Sequence, residues 1–116
     1  MYRILLADDE GIMLESLKKI IETEYGNECE IHCAKSGRVV VEMAQAYPPD
    51  ICFMDIQMPV MNGYDAAKKI RRMDDPQKAD IPIIAMTANA FSEDKQAALD
   101  AGMNDHIAKP INMNVL

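Results

Sequence analysis

The chain has 116 residues, of which 49% are hydrophobic and 27% are charged, and its formal net charge is -7. This length and composition predict one folded domain with an ordinary core, and they exclude a disordered or fibrous chain. The acidic balance argues against binding to nucleic acid or insertion at an anionic membrane surface, and it favours a cation or a basic partner surface.

Neither a membrane span nor a signal peptide is predicted. The longest apolar run, 81–91, contains Pro82 and is far shorter than the roughly 20 residues that cross a bilayer. Acidic residues at 8–10 interrupt the apolar start before a signal peptide could form. The three cysteines are expected to be reduced, so we predict a cytoplasmic location.

Short apolar runs alternate with longer segments of helical period along the chain. The predicted strands lie at 4–7, 29–33, 51–54, 81–86 and 106–108. The predicted helices lie at 13–25, 38–46, about 64–70 and 93–101, and the polar segment 73–80 is expected to be a connection. This alternation predicts an α/β fold, a doubly wound five-stranded parallel sheet with helices on both faces.

The predicted strands bring a set of polar side chains to one edge of the sheet. They are Asp8 and Asp9 after the first strand, Asp55 after the third, Thr87 after the fourth and Lys109 after the fifth. In open α/β sheets ligands bind at this edge. Three neighbouring carboxylates require a hard cation, most simply Mg²⁺, because like charges a few ångströms apart cannot all stay ionised alone.

Each of these residues also has an ordinary structural alternative. Asp8 or Asp9 could cap the first helix, Thr87 could be a turn residue at a strand end, and Lys109 could be a solvated side chain. The whole set in this order is much more specific than any one member.

Four segments resemble the receiver domain of two-component response regulators, and the resemblance covers nearly the whole chain. They are LLADDE at 5–10, DIQMPVMNG at 55–63, IIAMTANA at 83–90 and AGMNDHIAKP at 101–110. The resemblance implies a flavodoxin-like fold with strand order 2-1-3-4-5. The sequences of these segments are most similar to those of receivers of hybrid sensor histidine kinases in phosphorelay systems.

The resemblance implies a phosphorylation site at the acidic residues. Asp55 resembles the phosphoacceptor, and Asp8 and Asp9 resemble the acidic pair that binds Mg²⁺ together with it. The backbone carbonyl of Gln57 would complete the protein's share of the metal ligands.

Further roles follow from the same segments. Thr87 resembles the hydroxyl that closes onto the phosphoryl group, Lys109 resembles its ammonium partner, and Lys109-Pro110 resembles the family's cis peptide. Gln57 and Asn89 occupy the positions that border the approach of the hydrolytic water and set the lifetime of the signal.

The implied function is signalling rather than turnover of an external substrate. A sensor histidine kinase or a histidine phosphotransfer protein would donate a phosphoryl group to Asp55. The domain would catalyse its own phosphorylation and dephosphorylation and would switch conformation. A downstream effector, an output domain or a second copy in a homodimer would then respond.

Two other classes are weaker alternatives. A haloacid-dehalogenase-type phosphohydrolase also uses an aspartyl phosphate and Mg²⁺, but it requires a second aspartate where this chain has Gln57. A nucleotide or flavin binder requires a glycine-rich turn after the first strand, where this chain is acidic.

Two features depart from the family pattern. His106 stands where a Tyr or Phe usually follows the threonine during activation, and we expect a partly buried imidazole to act similarly, with a plain surface histidine as the alternative. The family ends with a helix after Lys-Pro, but the sequence stops at Leu116. We therefore expect 1–116 to be a fragment of a receiver whose last helix is missing or truncated, from a hybrid kinase or a stand-alone regulator, or one whose bare face another chain covers.

Overall fold

The computed structural model describes residues 2–87 and 92–108, which form a five-stranded parallel sheet between two layers of helices. The strands are β1 Tyr2–Ala7, β2 Cys29–Ala34, β3 Ile51–Asp55, β4 Ile83–Thr87 and β5 Asp105–Ala108. The helices are α1 Gly11–Tyr25, α2 Gly37–Ala46, α3 Gly63–Arg71, α4 Pro76–Ala79 and α5 Ser92–Asp100, and a 3-10 turn, Gly26–Glu28, follows α1. The strand order β2-β1-β3-β4-β5 confirms the flavodoxin-like topology that the resemblance implied.

The core lies on both faces of the sheet because consecutive residues of the inner strands are apolar and point to opposite faces. On one face, Val40, Ala67 and Ile70 from the helices pack against Met54 and Ile83 of the sheet. On the other face, α1 packs against β1 and β4 through Leu14, Leu17, Ile21, Ile4, Leu6 and Met86. Residues 109–116, where we expect the last helix of the family to be missing or truncated, lie outside the described residues.

Side-chain caps fix the start of α2, α3 and α4. The side-chain oxygens of Ser36, Asn62 and Asp75 accept backbone N–H groups at 3.2, 2.9 and 2.9 Å. Each cap satisfies a donor that the first turn of a helix leaves without an intrahelical partner.

The prediction of 73–80 as a connection is wrong in part, and the fourth strand begins later than predicted. Asp75 and Pro76 start the one-turn helix α4, since proline is well tolerated in the first turn. The strand β4 begins at Ile83 rather than at 81, because Pro82 has no N–H to donate to the sheet. The Pro82 carbonyl still accepts the Cys52 N–H at 2.9 Å.

Arg71, at the end of α3, joins three segments of the chain. Its Nε donates to the Gly102 carbonyl at 2.8 Å, its Nη1 to the Ala79 carbonyl at 2.6 Å, and its Nη2 to Asn104 Oδ1 at 2.8 Å. Asn104 Oδ1 also accepts the Ile83 N–H at 2.8 Å. Gly102 has φ +96°, and a Cβ there would lie 2.7 Å from Arg71 Cγ. We call Arg71, Ala79, Gly102 and Asn104 the Arg71 cluster.

The three cysteines are free thiols. Cys52 is buried at the start of β3, and burial raises the pKa of its thiol to about 12. The positive charge of Arg71 lowers that pKa, but by less than burial raises it. Partial burial in turn lowers the pKa of the Arg71 guanidinium.

In the described part of the chain, no helix has the length and apolar character needed to cross a membrane.

Candidate functional site

Two buried carboxylates lie side by side at the carboxyl end of the sheet. The pairing of Ala7 with Met54 makes Asp8 and Asp55 the next positions on the neighbouring strands β1 and β3. Both side chains therefore belong to the same face of the sheet, with adjacent strands about 4.8 Å apart. Asp8 is 0% exposed and Asp55 4%, so two acidic groups share a site with little access to bulk water.

The same local turn orients both carboxylates. Asp8 Oδ1 accepts the Glu10 N–H at 3.0 Å, and Asp55 Oδ1 accepts the Gln57 N–H at 3.0 Å. Each turn ties the side chain to the backbone two residues later. The two aspartates are thus held in place before any ligand binds.

Asp8, Asp9 and Glu10 form the acidic cluster of the site. Each offers a carboxylate oxygen, and these oxygens lie within 4.8 Å of one another. Asp8 is buried, whereas Asp9 and Glu10 are exposed, so the cluster opens to solvent on one side. Oxygen donors of this kind fit Mg²⁺, which is bound by a few carboxylates and retains several waters.

Glu10 was not among the predicted ligands, and Asp55 is not one of the three residues in this cluster. The sequence offered one indication of Glu10 as a ligand, which is that it directly follows the predicted pair Asp8 and Asp9. The helix-capping alternative for Asp8 and Asp9 is wrong: Glu10 is the residue before α1, and no side chain caps that helix.

Thr87 ends β4 as a fully buried residue at the same edge. Its hydroxyl donates to the Ile107 carbonyl of β5 at 3.5 Å, a long hydrogen bond. The pairing of Ala85 with His106 puts His106 and Thr87 on the same face of neighbouring strands. The His106 side chain is 24% exposed, with Nδ1 3.5 Å from Asp105 Oδ1, so it is partly buried as expected.

The remaining predicted site residues are divided between the loop after β3 and segments that the structure does not describe. Gln57 is exposed and contributes its N–H to Asp55. Asn89, Lys109 and Pro110 lie outside the described residues, so their roles stay predictions.

Gly63 is a supporting residue of the site that the sequence analysis did not single out. Its N–H donates to the Ile56 carbonyl at 3.1 Å. A Cβ at this position would lie 2.5 Å from the Asp55 carbonyl oxygen. The loop between β3 and α3 therefore folds back against the backbone of Asp55, and only glycine allows that approach.

Known proteins are similar to this chain in sequence. The chain is 37% identical over 115 residues to hybrid signal transduction histidine kinase L of Dictyostelium discoideum. The matched region covers 94% of this chain and 6% of the kinase. The chain spans only 3 to 7% of the length of three such kinases that it matches.

Two solved structures extend the similarity. The receiver domain of sensor histidine kinase PA1611 from Pseudomonas aeruginosa, with magnesium coordinated in its active site cleft, has a TM-score of 0.83 and 32% identity, covering 96% of this chain and 87% of that one. The Ssk1 receiver of Saccharomyces cerevisiae, solved with the histidine phosphotransfer protein Ypd1, has a TM-score of 0.86 and 29% identity, covering 97% of this chain and 81% of that one.

A family model for the response regulator receiver domain matches residues 4–116, nearly the whole chain. On this match, which agrees with the sheet order and the acidic strand ends, the chain belongs to the response regulator receiver domain family of two-component phosphorelay proteins.

Proposed function

We propose that Asp55 is the residue of this receiver domain that accepts the phosphoryl group. The observation that carries the proposal is a buried carboxylate at the end of β3, next to Asp8, which directly follows β1, and held by the Gln57 N–H. A nucleophile that is already held in position reacts faster than one that must first be oriented. The turn between Asp55 and Gln57 holds the carboxylate in this way.

The covalent step is a transfer from nitrogen to oxygen. A carboxylate oxygen of Asp55 forms a bond to phosphorus while the P–N bond of a phosphohistidine breaks, and the bonding electrons leave on the donor's imidazole, which takes up a proton. The product on Asp55 is an acyl phosphate. Hydrolysis by water later returns the carboxylate and inorganic phosphate, with Gln57 and Asn89 proposed to border the path of that water.

Asp8, Asp9 and Asp55, with the Gln57 carbonyl, are the residues proposed to hold Mg²⁺, and the position of Glu10 in the acidic cluster adds a fourth carboxylate nearby. A bound Mg²⁺ would neutralise charge on the phosphoryl oxygens. Asp9 and Glu10 are exposed, so a donor can approach the site from that side. Lys109 is proposed to supply a second positive charge.

Phosphorylation is proposed to switch the domain through Thr87 and His106. The Thr87 hydroxyl now bonds weakly to the Ile107 carbonyl, and a phosphoryl group on Asp55 would offer it a stronger, charged acceptor. Inward movement of Thr87 would leave space on the face that it shares with His106. His106 would fill that space, as an aromatic residue does elsewhere in the family.

The complex of the Ssk1 receiver with Ypd1 supports a phosphotransfer protein as one class of donor for this chain, and the similarity to hybrid kinases supports a sensor kinase as the other. We propose a cytoplasmic site of action, with an effector, an output domain or a second copy as the reader. The haloacid-dehalogenase alternative has no support, because the family match is to receivers and Gln57 replaces its general acid.

The proposed acceptor is tested by incubating the protein with Mg²⁺ and acetyl phosphate and measuring the intact mass. We expect one added phosphoryl group, which hydroxylamine removes. Asp55→Asn should abolish the addition, whereas Asp74→Asn, an exposed aspartate in the loop before α4, should leave it unchanged. The same adduct on the Asp55 variant would exclude Asp55 as the acceptor.

A further inference from the structure

A second surface feature lies on α3, away from the acidic cluster. It is an open hollow of about 390 Å³ lined by Val60, Met61, Asp65, Lys68, Lys69 and Arg72. We call it the α3 hollow. Its lining joins the loop that follows Asp55 to the exposed face of α3.

The α3 hollow is basic on an acidic protein. Lys68, Lys69 and Arg72 are exposed, and none has a carboxylate within ion-pair distance in the described part of the chain. Asp65 is the only acidic residue in the lining, so the hollow is net positive although the chain carries -7.

Three other surface cations have a carboxylate partner. Arg3, Lys18 and Arg38 each lie within 4.0 Å of a glutamate carboxylate. Cations in the last turn of a helix favour the helix dipole, which accounts for part of the pattern on α3. It does not account for their grouping around a hollow beside an apolar residue.

Val60 is the second unusual feature of the α3 hollow. Its side chain is fully exposed, and its φ is +67°, the only positive value at a non-glycine residue in the described ranges. A β-branched residue is strained in this region of backbone space, and here its side chain gains no burial in return. The Met61 N–H donates to the Pro59 carbonyl at 2.8 Å, and this γ-turn sets the φ of Val60. The turn presents the apolar side chain to solvent, as on a surface that contacts another molecule.

We propose that the α3 hollow binds an acidic segment of a partner protein. The segment's carboxylates would pair with Lys68, Lys69 and Arg72, and one of its apolar side chains would cover Val60. Charge complementarity favours this partner over nucleic acid, because three cations match a short acidic segment, whereas a long polyanion would meet the repulsion of the whole acidic chain. The inference does not depend on which residue accepts the phosphoryl group.

The test uses the 116-residue protein and a synthetic ten-residue peptide of Glu and Asp with two central Leu residues. We expect its addition to shift backbone amide signals of 60–61 and 65–72, with an affinity that falls as salt increases. The charge-reversal variant Lys68→Glu/Lys69→Glu/Arg72→Glu should weaken binding at least tenfold. The reversal Lys18→Glu/Lys19→Glu on α1, compared with the double reversal Lys68→Glu/Lys69→Glu that changes the net charge equally, should not weaken binding.

A second variant separates binding from folding. Val60→Gly removes both the strain and the apolar side chain, so the melting temperature should rise while peptide affinity falls several-fold. Unchanged affinity in Val60→Gly or in the triple reversal would overturn the proposal. Equal or tighter binding of a single-stranded DNA oligonucleotide of the same charge at the same amides would overturn the choice of an acidic protein segment.

Discussion

Two polar clusters lie at opposite edges of the same parallel sheet, and they differ in the sign of their charged side chains. At the carboxyl end, Asp8 and Asp55 place two buried acidic groups on adjacent strands. At the amino end, one guanidinium, that of Arg71, donates three hydrogen bonds to oxygens of other segments. The first cluster brings acidic groups together, and the second is built around one cation.

The difference indicates what each end of the sheet does. Carboxylates grouped in a buried site are typical of a site that binds a ligand, so we expect this end of the sheet to serve binding. A satisfied guanidinium stabilises the fold and leaves little capacity for a ligand. The site and the structural anchor are therefore separated by the length of the strands.

Loss of Arg71 should have the largest effect on stability. Arg71→Ala removes three hydrogen bonds from a partly buried charged donor, so we expect the free energy of unfolding to fall by roughly 2 to 4 kcal/mol in urea titrations. Arg72→Ala, the exposed neighbour, should change it by less than about 0.5 kcal/mol. An equal effect of the two substitutions would show that the Arg71 cluster is not an anchor.

The sequence predicted the sheet and the acidic residues at its edge because both depend on local patterns. Apolar runs placed every strand to within a few residues, and Asp8 and Asp55 follow their strands directly. The Arg71 cluster was not predictable in this way. Its hydrogen bonds join residues 8, 31 and 33 positions apart, and no periodicity records them.

Short elements and loop contacts could also not be predicted from the periodicity of apolar residues. The helix α4 has four residues, too few to show a helical period, although Asp75 and Pro76 mark its start. The contact of Gly63 with the Asp55 backbone depends on how the loop after β3 folds back. Glu10 lies in the acidic cluster because the turn at Asp8 brings its carboxylate close to those of Asp8 and Asp9. The order of residues alone does not specify this turn.

Magnesium should stabilise the acidic end alone. Binding to the folded state raises the free energy of unfolding by about 1.4 kcal/mol at a tenfold excess of Mg²⁺ over its dissociation constant. We expect this rise in thermal melts of the unmodified protein and of Arg71→Ala, but little of it in Asp9→Asn. If Asp9→Asn responds as the unmodified protein does, the cation binds elsewhere.

Alkaline pH should weaken the amino end through Cys52, by a smaller amount. Burial raises the pKa of this thiol from 9.0 to about 12, so the unfolded chain loses the proton at a lower pH than the folded chain. Stability from this group is therefore complete below pH 9 and falls as pH rises towards 12. At pH 9.5 the loss is about 0.8 kcal/mol relative to pH 7.

Urea titrations between pH 7 and pH 9.5 measure this contribution of Cys52. Cys52→Ala lowers the free energy of unfolding at every pH because it leaves a small cavity. Between pH 7 and pH 9.5, however, its free energy of unfolding should fall by about 0.8 kcal/mol less than that of the unmodified protein. Cys29→Ala, at the half-buried start of β2, should keep the decline of the unmodified protein. Equal slopes for all three proteins would mean that Cys52 meets water in the folded state, and that the amino end of the sheet is less closed than the structure shows. Suppose that the stability of Cys52→Ala falls less steeply with pH while Mg²⁺ still raises its melting temperature. The two ends of the sheet are then independent, because loss of the Cys52 proton affects one end and Mg²⁺ binding affects the other.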